Sequence, residues 1–125
     1  MNNTIRRLPD TELEVMQTIW DCKPPVSRAD IEERIYKTHP MAETTLQTLL
    51  TRLTEKAFLS VEILKRKKYY TPLVSRHDYQ ISQSKSFFQK VCGGSLSAFA
   101  NALCEGGLTK EELTELRTLL EEGNL

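Results

Sequence analysis

At 125 residues the chain has the length of one ordinary domain, or of one compact unit with a short appendage. Hydrophobic residues make up 39%, charge is mixed and Gly and Pro are sparse, so the chain reads as a soluble globular protein; no run of 18 apolar residues and no signal-peptide core occur, which excludes membrane insertion and places the protein in the cytoplasm. Seventeen basic and seventeen acidic residues cancel overall, but the cancellation is uneven and does not exclude nucleic acid.

Residues 1 to 7 read as a short arm in which Arg6 and Arg7 are available to phosphate. Pro9 and Asp10 open a first helix whose apolar set is Leu13, Met16, Ile19 and Trp20; it ends at Cys22, because Lys23, Pro24 and Pro25 cannot continue it. Ser27 with Asp30 resembles a capping box for a second helix running to about Lys37, burying Ala29 or Ile31 with Ile35 and stopped by His39-Pro40.

The stretch Met41 to Ser60 carries a third helix that organises the others. Leu46, Leu49, Leu50 and Leu53 fall at i, i+3, i+4 and i+7 and form one apolar stripe. Thr44, Gln47, Thr48 and Thr51 repeat the spacing out of phase, which places them on the opposite face. Short hydroxyl and amide side chains, followed by Arg52 and Lys56, suit hydrogen bonding to base edges and phosphates in a major groove.

Beyond that helix, Phe58 to Leu64 is rich in β-formers, Lys65, Arg66, Lys67 and Lys68 form a basic tip, and Tyr69 to Leu73 reads as a return strand. Three short helices followed by a basic hairpin make a winged helix-turn-helix, in which the third helix enters the major groove and the wing grips the backbone. Tyr69 and Tyr70 are expected in core and sheet. From Thr44 to Arg76 seven basic residues face two acidic ones; the chain through Val74 carries net charge +2 and the remainder −2. The fold class expected is therefore mainly α with a small β-hairpin, with a DNA-binding domain over 1–74 and a helical dimerisation region over 75–125.

In the second region Ser75 with Asp78 caps a fourth helix carrying Tyr79, Phe87, Phe88 and Val91 and ending at Gly93-Gly94. A fifth helix from Ser95 carries Leu96, Phe99, Ala100 and Leu103 and stops at Gly106-Gly107. Thr109 and Glu112 form a capping box for a sixth, with Leu113, Leu116 and Leu120 on one face. Three short helices are too few to bury these apolar faces by themselves. A second copy would cover them, so Phe87, Phe88, Val91, Leu96, Phe99, Leu103, Leu113, Leu116 and Leu120 are assigned to a homodimer.

Cys22, Cys92 and Cys104 are odd in number, in no metal-binding spacing, and read as reduced buried thiols. His39 and His77 have no nucleophile or carboxylate at a telling spacing, and no phosphate-binding glycine loop or HExxH occurs, so no enzyme activity, metal or cofactor is expected. The competing class is a winged helix that binds another protein; it has no need of four consecutive cations.

Leu8-Pro-Asp-Thr-Glu-Leu-Glu-Val-Met16 with Ile19-Trp20, Thr45-Leu-Gln-Thr-Leu-Leu-Thr-Arg-Leu53 with Lys56 and Phe58, the paired tyrosines, Gly93-Gly94 and Leu108-Thr-Lys-Glu-Glu-Leu-Thr-Glu-Leu-Arg117 together resemble the penicillinase-repressor family, the BlaI and MecI group, related to the copper-transport repressor CopY. The resemblance spans nearly the whole chain. It implies a dimeric winged-helix transcriptional repressor on an inverted-repeat DNA operator. Thr44, Thr45, Gln47 and Thr48 would read bases, with Thr51 and Arg52 toward the backbone. The β-lactam-responsive members often carry Lys and Arg where this chain has Thr44 and Gln47, so the preferred base would differ. In those members a membrane sensor protease triggers a cut between Asn and Phe; the matching pair here is Asn101-Ala102, which keeps the Asn and lacks the aromatic residue. Copper-responsive members carry CxC motifs near the C-terminus, whereas this chain reads Glu121-Glu-Gly-Asn-Leu125 there, which argues against copper sensing. A repressor that answers to a small molecule or metal is the nearer alternative.

Overall fold

The computed structural model describes residues 5–123. Its elements run α1 (Asp10–Trp20), β1 (Val26–Ser27), α2 (Arg28–Thr38), α3 (Glu43–Glu55), β2 (Leu59–Leu64), β3 (Lys67–Pro72), α4 (Arg76–Ser86), α5 (Leu96–Glu105) and α6 (Lys110–Glu122), with a π-helical turn at Phe87–Val91 after α4. The fold is mainly helical with a small antiparallel sheet of order β1-β3-β2. By packing, the chain divides into two compact units, Met1–Gln83 and Ser84–Leu125. Of the N-terminal arm, residues 1–4 lie outside the described residues, and Arg6 and Arg7 are exposed.

The first unit is built on the stripe of α3. Leu46, Leu50 and Leu53 are fully buried and Leu49 is nearly so. Each such side chain removed from water contributes about 1.5–3 kcal/mol. They pack with Val15, Met16 and Ile19 of α1, Ile31 and Ile35 of α2, and Phe58, Leu59 and Tyr70 of the wing. α1 ends at Trp20, two residues before the expected stop, and its inner face is Val15, Met16 and Ile19, with Leu13 and Trp20 only half-buried. On α2 the choice between Ala29 and Ile31 falls to Ile31; Ala29 is exposed. Ser27 caps α2 as its sequence suggests, its Oγ accepting the Asp30 N–H at 3.1 Å.

α3 ends in a Schellman motif, with Ala57 N–H donating to Thr54 O at 3.0 Å and Phe58 N–H to Leu53 O at 2.9 Å. Ala57 takes the left-handed conformation, φ 65°, that usually falls to glycine. Phe58 is consequently part of this reversal and not of the strand, which begins at Leu59. The wing pairs Leu59 with Pro72 through Leu64 with Lys67. A third strand, absent from the expected hairpin, pairs Val26 with Tyr70 and Ser27 with Tyr69. Tyr70 is 2% exposed and Tyr69 half-buried, as expected of sheet residues.

The wing ends with β3, but the first unit continues into α4. Tyr79 lies in this unit's core, with ring centroids 5.8 Å from Trp20 and 5.9 Å from Phe58. Its hydroxyl accepts the Leu8 N–H at 2.9 Å in a buried site. Tyr79→Phe strands that donor, and an expected loss of about 1–3 kcal/mol is measurable by urea denaturation. Arg76, counted above with the basic patch, is engaged instead with Asp21 at 2.8 Å and with Gln17, and lies 5.7 Å from the centre of the Trp20 ring.

Still in the first unit, Ser75 caps α4 as its sequence suggests, its Oγ accepting the Asp78 N–H at 3.0 Å. In the second unit α4 passes into the π-helical turn and the chain reverses at Gly93 and Gly94, at φ 62° and 77°. Phe99 of α5 packs on Phe87 and Phe88 at 6.1 and 5.7 Å. α6 carries the expected capping box, with Thr109 N–H donating to Glu112 Oε1 at 2.9 Å and Glu112 N–H to Thr109 Oγ1 at 3.0 Å. No described residue of this unit is fully buried. Leu103, Leu113 and Leu116 are half-buried, while Val91, Leu96 and Leu120 are 70%, 75% and 58% exposed. Among the described residues no helix is long and apolar enough to cross a membrane.

Candidate nucleic-acid interface

The outward face of α3 is where the sequence places it. Thr44, Thr45, Thr48, Thr51 and Arg52 are exposed and Gln47 is half-buried. The opposed leucine stripe fixes this orientation, because rotating the helix would expose four buried leucines. Thr48 donates its hydroxyl hydrogen to Thr44 O at 3.0 Å, so it offers a partner a methyl group and a lone pair and no donor. Gln47 Nε2 donates to Thr51 Oγ1 at 3.2 Å, which holds the amide along the helix.

Lys56 does not join this face. Its Nζ reaches Glu12 Oε1 at 2.5 Å, and the Glu12 side chain is only 3% exposed. A carboxylate so buried needs a counter-charge, and the C-terminus of α3 supplies it. Nothing in the sequence distinguishes Glu12 from the solvated acids of an amphipathic helix.

The basic stretch of the wing resolves into two parts. Lys65 and Arg66 form a two-residue hairpin turn, both at positive φ, 50° and 67°. This is the geometry that type I′ hairpins normally fill with Asn-Gly. Lys67 and Lys68 belong to β3 and not to the tip. Because side chains alternate along a strand, they leave the hairpin on opposite faces, Lys68 with the Tyr70 side and Lys67 with the Tyr69 side. All four cations are exposed. Replacing Lys65-Arg66 by Asn-Gly removes the left-handed strain and is expected to raise stability by about 1–2 kcal/mol in urea denaturation, while lowering affinity for duplex DNA.

A surface groove joins wing and helix. Arg28 of α2, Gln47 of α3 and Arg66, Lys67, Lys68 and Tyr69 of the wing line it. Arg28 was not marked by the sequence. It bonds Glu32 at 2.6 Å and donates to Glu43 O at 3.3 Å, tying α2 to the start of α3.

Outside this surface the chemistry is sparse. All three cysteines are free, Cys22 and Cys92 half-buried and Cys104 exposed, so the expectation of buried thiols does not hold. Burial pushes the Cys22 thiol above its ordinary value, Asp30 and Asp21 adding to the shift against the opposing Arg34. Its Sγ–H donates to Thr18 O at 3.4 Å. Both histidines are exposed, and His39 lies 3.3 Å from Glu14. Among the described residues no three His, Cys, Asp or Glu side chains gather as a metal site would require. In the second unit Asn101 and Ala102 are both exposed on α5.

Known proteins are similar to this chain in sequence over nearly its whole length. The chain is 34% identical to the penicillinase repressor of Bacillus licheniformis over 119 residues, covering 94% of this chain and 92% of that protein. It is 32% identical to the methicillin resistance regulatory protein MecI of Staphylococcus aureus (strain N315) over 123 residues, covering 98% and 99%. The solution structure of the DNA-binding domain of the repressor BlaI superposes with a TM-score of 0.54 at 32% identity, over 63% of this chain and 94% of that one. The solution structure of B. licheniformis BlaI, in monomeric form in complex with the blaP half-operator, gives 0.52 at 33%, over 60% and 90%. The penicillinase repressor family model matches residues 8–122, and this chain belongs to that family.

Proposed function

We propose that the chain is a sequence-specific DNA-binding transcriptional repressor that acts in the cytoplasm as a homodimer on an inverted-repeat operator. One observation carries the reading: the outward face of α3, exposed threonines with the half-buried Gln47 among them, stands beside a wing whose turn is two cations. Thr44, Thr45, Gln47 and Thr48 read base edges, while Thr51, Arg52 and Lys65 to Lys68 take the backbone. That a BlaI structure contains a half-operator supports the same use of the matching surface here.

Residues 1–74 serve DNA and 75–125 serve dimerisation in this proposal. The support is the apolar surface of the second unit, where Phe87, Val91, Leu96 and Leu120 are exposed in a single chain; Phe88, Phe99, Leu103, Leu113 and Leu116 are the half-buried remainder of it. Release by a membrane sensor protease at Asn101-Ala102 belongs to the same proposal, as does kinship with CopY. Both members of that pair are exposed. The chain has no part in catalysis in this reading.

The test is selection of bound sites from a random duplex pool, with the stoichiometry of the complex measured alongside. An inverted repeat bound by two chains is expected. Failure to enrich any sequence at modest salt would leave a protein-binding winged helix as the better account. On the selected operator, Gln47→Ala is expected to cost about 1–3 kcal/mol at one base pair per half-site and to relax the preference there. Uniform weakening across sequences would make Gln47 a backbone contact.

A further inference from the structure

Threonine in a helix interior has a habitual hydrogen bond, from its hydroxyl to the carbonyl four residues earlier. Thr18, Thr48, Thr54, Thr114 and Thr118 all make it in this chain, at 2.8–3.1 Å. Thr51 departs from them. Its Oγ1 accepts the amide of Gln47 at 3.2 Å. The departure occurs on the one helix face that the proposed function turns toward bases, and at the one amide on it.

The hydrogen-bond inventory gives this contact a meaning. A carboxamide has two N–H donors and one carbonyl acceptor. With one N–H held by Thr51, Gln47 retains a donor and its Oε1. Adenine presents an acceptor at N7 and a donor at N6 in the major groove, which match that remaining pair. Guanine presents two acceptors, N7 and O6, and would set its O6 against Oε1. An untethered amide escapes that clash by rotating to offer guanine its NH2 group. A tethered one must first break the Nε2–H hydrogen bond to Thr51 and turn the Thr51 hydroxyl from acceptor to donor.

We propose that Thr51 is a positioning residue for Gln47, and that the Gln47–Thr51 pair makes each half-site select adenine against guanine at the base pair Gln47 reads. This rests on the reading of α3 as a base-reading helix. It assigns Thr51 a part in sequence discrimination rather than in holding the backbone alone. The preference expected of a good bidentate contact is roughly 5- to 150-fold. Losing the tether removes one neutral hydrogen bond, so discrimination drops by about fivefold.

The experiment uses the full chain and duplexes recovered by site selection, carrying adenine, 7-deazaadenine or guanine at the position most sensitive to Gln47→Ala. The wild type is expected to prefer adenine over both. Thr51→Val is expected to lower the adenine-over-guanine ratio about fivefold, Thr51→Ser to keep it, and Thr51→Val in the Gln47→Ala background to leave it unchanged. A backbone contact made by Thr51 shifts affinity for all three duplexes together and leaves the ratio alone. Discrimination retained in Thr51→Val, lost equally in Thr51→Ser, or directed to a base other than adenine overturns the pair while sequence-selective binding stands. Absence of any sequence-selective binding by the wild type overturns the pair and the repressor reading together.

Discussion

Lys56→Met is expected to destabilise the protein by about 3–5 kcal/mol, the range found when one partner of a buried ion pair is removed. The penalty falls on Glu12, whose side chain is 3% exposed against 22% for Lys56, because the carboxylate is left buried beside an apolar neighbour. The companion variant Glu12→Leu/Lys56→Met removes both charges, and its stability should return to within about 1–2 kcal/mol of wild type or exceed it. Urea denaturation followed by far-ultraviolet circular dichroism measures both. A single variant as stable as the wild type would mean that water reaches Glu12 and that the pair contributes nothing at this position.

Neutralising Lys65, Arg66 and Lys67 to Ala should weaken binding to every duplex sequence and flatten its salt dependence. Each phosphate contact contributes about −0.9 to the slope of log K against log salt. Removing two or three such contacts reduces the slope by about 2–3 for each wing and lowers affinity at 0.1 M salt by roughly a hundred- to a thousandfold for each wing, both wings of a dimer contributing. The two residues of the turn, Lys65 and Arg66, project from the end of the hairpin, while Lys67 leaves one face of it. Titrating salt against affinity for the selected operator and for an unrelated duplex reads the effect. A slope equal to that of the wild type takes the wing off the DNA.

Much of the fold is legible in the sequence because its signals are local. The leucines of α3 lie within two turns of one another, the Ser27 cap acts over three residues, and the Thr109-Glu112 box does the same on α6. What escapes is non-local. β1 is two residues long, too short to show a period, and exists only because Tyr69 and Tyr70 lie beside it. Glu12 reads as a surface acid until Lys56, 44 positions on, is brought against it. Tyr79 reads as part of the C-terminal helices until its hydroxyl is seen to accept from Leu8. The turn escapes for a different reason. Four like charges in a row give no indication of which two take positive φ, and the usual Asn-Gly marker is missing. On α3 the threonines and Gln47 are legible as one face opposite the leucines, but the contact between Gln47 and Thr51 is a matter of rotamers, to which periodicity is blind.

Residues 27 and 28 occupy an unusual crossing point. Ser27 is at once a strand residue paired with Tyr69 of the wing and the cap of α2. Arg28, next to it, reaches the first residue of α3. The wing and α3 are thereby anchored to the same two adjacent positions of the backbone. Ordering flexible segments on association ordinarily consumes part of the energy that contacts provide. In the proposed complex that cost falls at folding, because the two surfaces are held at a fixed separation before any duplex arrives. On that proposal a base change under the helix is not absorbed by letting the wing slide.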